Sequence, residues 1–146
     1  KPSRFTPEEY EIIKAHSTIG AVLFSEIEST LDAMARDVAL RHHERWDGNG
    51  YPGNIPLDTI NGIASAVKTG VGLRGEEIPL AARIVALADV FDALSSRRVY
   101  KEAWNDEDVL IEIQAQVGKQ FDPEIVSAFF QVLPTIREIQ AAWPDK

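Results

Sequence analysis

The chain has no cysteine, which rules out disulfides, thiolate metal sites and thiol catalysis. That fits a reducing compartment, and a cytoplasmic location is expected. No apolar run approaches the roughly 20 residues needed to span a bilayer. Nothing at the N-terminus resembles a signal peptide. Alternating apolar and polar positions never persist long enough for a useful strand. Basic residues are outnumbered: 15 Lys and Arg stand against 23 Asp and Glu, a net charge of −8. Such a surface repels long nucleic acids and anionic membranes unless charge is locally redistributed. A phosphate-bearing ligand would need a local basic cluster or a metal ion. Histidine is scarce as well, with three in 146 residues, yet two of them are adjacent.

What is present reads almost wholly as helix, with a length sufficient for one domain with its own core. Thr6, Pro7 and Glu9 spell a helix start, with Thr6 as N-cap and Glu9 at the capping-box position. That helix should run through Tyr10, Ile13, His16 and Leu23. Ser29 or Thr30 starts the next, whose apolar stripe of Leu31, Met34, Ala35 and Val38 continues to His42. Trp46–Asp58 is loop, marked by Asp47-Gly48, Asn49-Gly50 and Tyr51-Pro52-Gly53. A short helix over Asp58–Lys68 and a glycine-rich loop over Thr69–Glu77 follow. Pro79 opens a strongly apolar helix over about Leu80–Ser95, expected to be central and buried, with Ile84, Leu87, Ala88 and Phe91 at helical spacing. Asn105 caps a helix ending at Gly118, and Asp122-Pro123 starts another. Pro134 should end or kink that one. A last helix would carry Ile136, Ile139 and Trp143.

The side chains able to do chemistry cluster in few places. Neighbours on a regular helix point about 100° apart, so one ion cannot easily take both His42 and His43. Two ions could each take one, or the helix end could deform; equally, His42 could continue the core stripe with His43 in solvent. Asp89 and Asp92 share one face of the most apolar helix, either as metal ligands or as a pair neutralised by Arg83 or Arg97. Histidine with carboxylate and no thiolate suits iron, manganese, zinc or magnesium. His16 alone reads equally as a satisfied core or surface residue. Arg97, Arg98 and Lys101 form the densest basic cluster, either a solvated helix end or a phosphate clamp.

Taken in order, these motifs resemble the HD-GYP domains, bacterial phosphodiesterases that degrade cyclic di-GMP. The resemblance runs through Thr6-Pro7-Glu8-Glu9, His16 and Gly20, then His42-His43-Glu44-Arg45-Trp46-Asp47-Gly48 and Gly50-Tyr51-Pro52. It continues with Ile78-Pro79-Leu80-Ala81-Ala82-Arg83-Ile84, Ala88-Asp89-Val90-Phe91-Asp92-Ala93-Leu94, Tyr100-Lys101 and Gly118 with Phe121-Asp122-Pro123.

The resemblance implies an all-α, HD-type helical bundle, with residues 1–146 as a single partial domain that contains the GYP part. It places His16, His42, His43 and Asp89 on metal-ligand positions and Asp92 on a nearby position behind them. Arg98 and Lys101 would hold substrate phosphates, and Gly50, Tyr51 and Pro52 would form a wall of the substrate cleft. Two or three divalent ions, iron or manganese, would serve as cofactors, and cyclic di-GMP as substrate.

Two features depart from the family pattern. A family His-Asp pair lies upstream of the position matching Lys1, so the N-terminal HD part is missing and the chain is expected to start inside a longer protein or to follow cleavage. An insertion occupies about 54–75. Alternative readings are a degenerate module that docks diguanylate cyclase (GGDEF) domains, or an HD phosphohydrolase for another nucleotide. An upstream sensory or receiver domain and homodimerisation are further expectations.

Overall fold

The computed structural model describes residues 5–23, 29–55, 70–96 and 102–143. Five α-helices account for most of them: α1 (Pro7–Leu23), α2 (Thr30–Arg41), α3 (Leu80–Ser95), α4 (Asp106–Ala115) and α5 (Pro123–Ala142). A single 3-10 turn, Gly75–Glu77, precedes α3. No strand occurs among the described residues, where an isolated bridge between Val117 and Phe121 is the nearest approach to one.

Local chemistry sets the helix starts. The Thr6 hydroxyl accepts from Glu9 N at 3.1 Å while the Glu9 carboxylate accepts from Thr6 N at 2.8 Å, so two otherwise orphaned donors are satisfied reciprocally. Ser29 caps α2 through Asp32 N, Asn105 caps α4 through Asp108 N, and Asp122 caps α5 through Glu124 N with Pro123 in the first turn. The fourth helix stops at Ala115, three residues before Gly118. That glycine instead sits in the turn that closes Val117 onto Phe121.

The chain packs as α1 on α2, α2 on α3, and α3 on both α4 and α5. Small residues on α1 (Ala15, Thr18 and Ala21) are fully buried. The main core lies at the other end, where Leu87 and Phe91 of α3 meet Val109, Ile113, Phe121, Val126 and Phe129. Phe91 and Phe129 meet edge to face at 5.1 Å between ring centres. Burying one such ring contributes about 2–3 kcal/mol. The third helix thus faces two ways: Leu87 and Phe91 enter the core, while Ala86, Asp89 and Val90 line a cavity against α2.

Three expectations are corrected. Pro134 does not end a helix; α5 runs unbroken to Ala142, held down by Leu133 and Ile136 against the core. The α3 helix is only partly buried, since Ile84 is 48% exposed and lines an open apolar groove with α5. The α2 stripe also borders a groove rather than the core: Leu31, Met34, Ala35 and Val38 lead along it to His42 and Asp89. The expected helix over Asp58–Lys68 lies outside the described residues.

Candidate metal centre

The second helix ends at Arg41, and this determines what its two histidines do. His42 is the C-cap residue, still donating its backbone N–H to Val38 O, and His43 lies in the turn beyond. Released from the regular 100° step, the two rings come within 4.1 Å of each other, centre to centre. His16, from the middle of α1, closes the group, with ring centres 5.4 Å from His42 and 4.8 Å from His43. One ring nitrogen from each of the three lies within 4.8 Å of the other two. The adjacent pair comes together with His16 because α2 ends before His42 instead of running regularly through both.

Backbone carbonyls settle which nitrogens face the centre. His16 Nδ1 is 2.6 Å from Ile13 O, and His42 Nδ1 is 2.8 Å from Val38 O. A carbonyl can only accept, so each Nδ1 donates and, in the neutral form of each ring, Nε2 keeps its lone pair. Those two Nε2 atoms face each other at 3.4 Å. A shared proton or a bound cation can satisfy two nitrogens so placed. Two nitrogens bound to one ion at about 2.1 Å and a tetrahedral angle would stand about 3.4 Å apart. The donor set therefore fits a divalent ion, with the carbonyl partners orienting the rings from behind. Burial lowers the His43 pKa to about 4, reinforced by His42 and His16, so this ring is neutral and a competent ligand near pH 7.

The loop after the histidines folds back over them. Tyr51 stacks on His43 with ring centres 4.9 Å apart and planes 14° from parallel, and Tyr10 of α1 meets Tyr51 edge-on at 6.4 Å. Burial, with Tyr10 adding to it, pushes the Tyr51 hydroxyl up to about 12, so it stays protonated. Pro52, joined to Tyr51 by a cis peptide bond, is buried. Gly50 is needed for this closure: a Cβ there would lie 2.4 Å from Arg45 N and 2.5 Å from His43 O. Gly50 and Tyr51 thus meet His43, while Pro52 is buried in the same loop.

A buried carboxylate holds this loop. Glu44 accepts from Gly53 N at 2.6 Å and from Leu73 N at 3.1 Å, and Arg41 donates to it at 3.1 Å. Arg41 also donates to Gly53 O. The strands of the loop close on each other in turn, Asn54 N donating to Val71 O and Gly70 N to Pro52 O. Gly70 allows that approach, because a Cβ would meet Asn54 O at 2.3 Å. The described ends of the inserted segment, Asn54 and Gly70, are thus held against each other.

Together these parts border a cavity of about 620 Å³ lined by Tyr10, His42, His43, Tyr51 and Asp89, with Arg45, Asn49 and Gln120 as further polar walls. Asp89 opens onto this cavity but stands apart from the three-histidine group. Asp92 does not share it. It lies on a different cavity beside α5 and accepts from Ser96 Oγ at 3.2 Å. Nor does Arg83 neutralise either carboxylate, because it pairs with the buried Asp122 at 2.7 Å and donates to Ile78 O. Arg97, Arg98 and Lys101 lie outside the described residues. No described helix is long and apolar enough to cross a membrane.

Comparison with known proteins agrees with this geometry. The HD domain family matches residues 1–94, and a second HD domain pattern matches residues 69–125. A cyclic di-GMP phosphodiesterase of Thermotoga maritima is 40% identical over 146 residues, which are 100% of this chain and 35% of that protein. The cyclic di-GMP phosphodiesterase response regulator RpfG of Xanthomonas campestris is 42% identical, over 95% of this chain and 32% of its own length. A 3'3'-cGAMP-specific phosphodiesterase of Vibrio cholerae is 34% identical over 99% of this chain and 24% of its own. The crystal structure of a cyclic GMP-AMP specific phosphodiesterase of V. cholerae superposes with a TM-score of 0.60 at 25% identity, covering 92% of this chain and 27% of that one. The chain thus spans about a third or less of the relatives it matches. With the family match covering more than half its residues, the three-histidine centre under a Gly-Tyr-Pro loop identifies the chain as a member of the HD domain family, of the HD-GYP type.

Proposed function

We propose that this chain is the GYP-containing part of a metal-dependent phosphodiesterase that hydrolyses cyclic di-GMP. The observation that carries the reading is the pair of facing Nε2 atoms of His16 and His42, 3.4 Å apart beside neutral His43, on a cavity of phosphodiester size. His16, His42 and His43 would hold the metal, and Asp89, across the same cavity, would be recruited to it. A bound divalent ion would supply a water of lowered pKa and charge stabilisation at phosphate oxygens. Iron or manganese, in two or three copies, is the proposed complement.

The chain's own residues orient and exclude. The Ile13 and Val38 carbonyls fix two rings as Nε2 donors, and Glu44 holds Tyr51 over His43. The stacked Tyr51 covers one face of that ring from water. Arg98 and Lys101 are proposed to bind substrate phosphate, and Asp92, which faces a different cavity beside α5, would act only from behind the ligands. Residues 1–146 would form one partial domain within a longer protein, whose GGDEF or sensory partners and dimerisation belong to that whole.

Full-length protein loaded with manganese or iron should hydrolyse cyclic di-GMP to a linear dinucleotide or mononucleotides. Absence of product from a protein shown to contain the metal would refute the reading. The names of several relatives favour a second substrate, 3'3'-cGAMP, which the same assay should include. A preference for it would keep the chemistry and change the base specificity.

A further inference from the structure

Arg45 borders the cavity beside His43, Asn49 and Gln120, and its guanidinium is held rather than free. Asp47 accepts from Arg45 Nε at 3.2 Å and from Nη2 at 3.0 Å, engaging one edge of the planar group. Asp47 is itself fixed: Asn49 N donates to its carboxylate, and its own N–H donates to Lys119 O at 2.8 Å. The neighbouring Trp46 N donates to Gln120 O at 3.2 Å, so the segment is bonded to the turn before α5 on consecutive residues. A guanidinium tied along its Nε–Nη2 edge still has its Nη1 hydrogens to donate. Although Asp47 already answers its charge, the open edge of this guanidinium remains available to an anion entering the cavity that Arg45 borders.

We propose that Arg45 is a substrate-binding residue, donating from Nη1 to a phosphate of the cyclic dinucleotide, and that Asp47 is its positioning residue. This rests on the phosphodiesterase reading above. The geometry favours a role in binding more than in turnover. Asp47 spends part of the arginine's charge but fixes its plane, so less conformational freedom is lost when the anion arrives. The contact would stand on the side of the cavity formed by the loop after α2, near the turn before α5, and would be independent of Arg98 and Lys101.

The test uses full-length protein with manganese bound. Arg45→Gln should raise KM for cyclic di-GMP about 10- to 100-fold, the loss expected for one hydrogen bond to a charged group, with kcat within a few-fold and metal content unchanged. Arg45→Lys, which keeps charge without the fork, should fall between the two. Asp47→Asn should raise KM less than Arg45→Gln. The dissociation constant of cyclic di-GMP from metal-free protein should rise in parallel, which reads binding without turnover. Unchanged KM and dissociation constant in Arg45→Gln would overturn the assignment while leaving the enzyme reading intact. So would a fall in kcat alone, or a KM change that comes only with lost metal or a lowered melting temperature. Wild-type protein that neither binds nor hydrolyses a cyclic dinucleotide would sink the functional reading first, and the substrate contact with it.

Discussion

The Nε2 atoms of His16 and His42 face each other at 3.4 Å across 26 residues of sequence, each turned inward by a backbone carbonyl on its other ring nitrogen. Nothing in α1 or α2 alone would place them so; the close packing of the two helices does. Replacing His16 by Ala removes a ligand from the exposed side of the centre and leaves the main core untouched. Metal affinity should fall at least about 100-fold, beyond what loss of an outer-sphere partner costs. The bound metal after dialysis, read by elemental analysis, checks this, and the melting curve of the metal-free variant should match that of the metal-free wild type. Retained stoichiometric metal would show that the cluster is not the site.

His43 carries the pH signature of metal-free protein. Its pKa is lowered from 6.5 to about 4, chiefly by burial and then by His42 and His16. The folded state resists a proton that the unfolded state accepts. The unfolded chain therefore binds more protons between roughly pH 6.5 and 4, and stability should fall as pH drops through that window. Below about 4 both states are protonated and this contribution levels off. The imidazole resonances of His43 in a nuclear magnetic resonance titration should move near pH 4. Movement near 6.5 would show that the ring is solvated and that Tyr51 does not cover it.

Glu44 should matter to stability far more than its neighbours in sequence suggest. Its side chain is 0% exposed and satisfies two backbone N–H groups, while Arg41 is its charged partner. Alanine in its place leaves both amides without an acceptor and that guanidinium without its charged partner, with Gly53 O as its remaining acceptor. Breaking such a buried pair costs about 3–5 kcal/mol. Gln keeps one acceptor oxygen but turns an amide N–H₂ toward a backbone donor, so its cost should be smaller than that of Ala. Urea unfolding of the two variants orders them. Equal stability of wild type and Glu44→Ala would mean that the loop is not held from this carboxylate.

How much of this could be read in advance depended on the reach of the interaction. The Thr6–Glu9 box, the Ser29 and Asn105 caps and the bounds of α3 involve partners three or four residues apart, and the sequence announces them. Metal ligation by the two adjacent histidines was legible as a question, because its answer turns on whether α2 stops before or after His42. Arg83 was open as a partner for Asp89 or Asp92, and its actual partner, Asp122, lies 39 residues away at the N-cap of α5. The role of Glu44 is hidden for the same reason: Leu73, one of its donors, is 29 residues on, near the far end of the inserted segment. Pro134 misled in the opposite direction. Its local penalty of about 3 kcal/mol or more is real, but the packing of Leu133 and Ile136 on the core keeps α5 continuous past it.

Gly50 is where backbone shape and site chemistry meet most directly. A methyl group there would lie 2.4 Å from Arg45 N, 2.5 Å from His43 O and 2.6 Å from Glu44 Cα, all of them backbone atoms that no rotamer change can move. Gly50→Ala must therefore push the loop away from the end of α2. Tyr51 moves with it, since Tyr51 N donates to His43 O at 3.2 Å at the point of contact. Overpacking of this kind costs about 1–3 kcal/mol. The site should feel it more than the core does, because Gly50 lines the histidine cavity and is not among the residues of the core formed by α3, α4 and α5. Two measurements on the variant should change together. Its melting temperature should fall by several degrees, and the His43 titration of the metal-free form should move up from about 4 toward 6.5 as the Tyr51 ring leaves and water reaches the imidazole. A lowered melting temperature with the titration unmoved would separate the loop from the ring, and the stack would then owe nothing to the glycine.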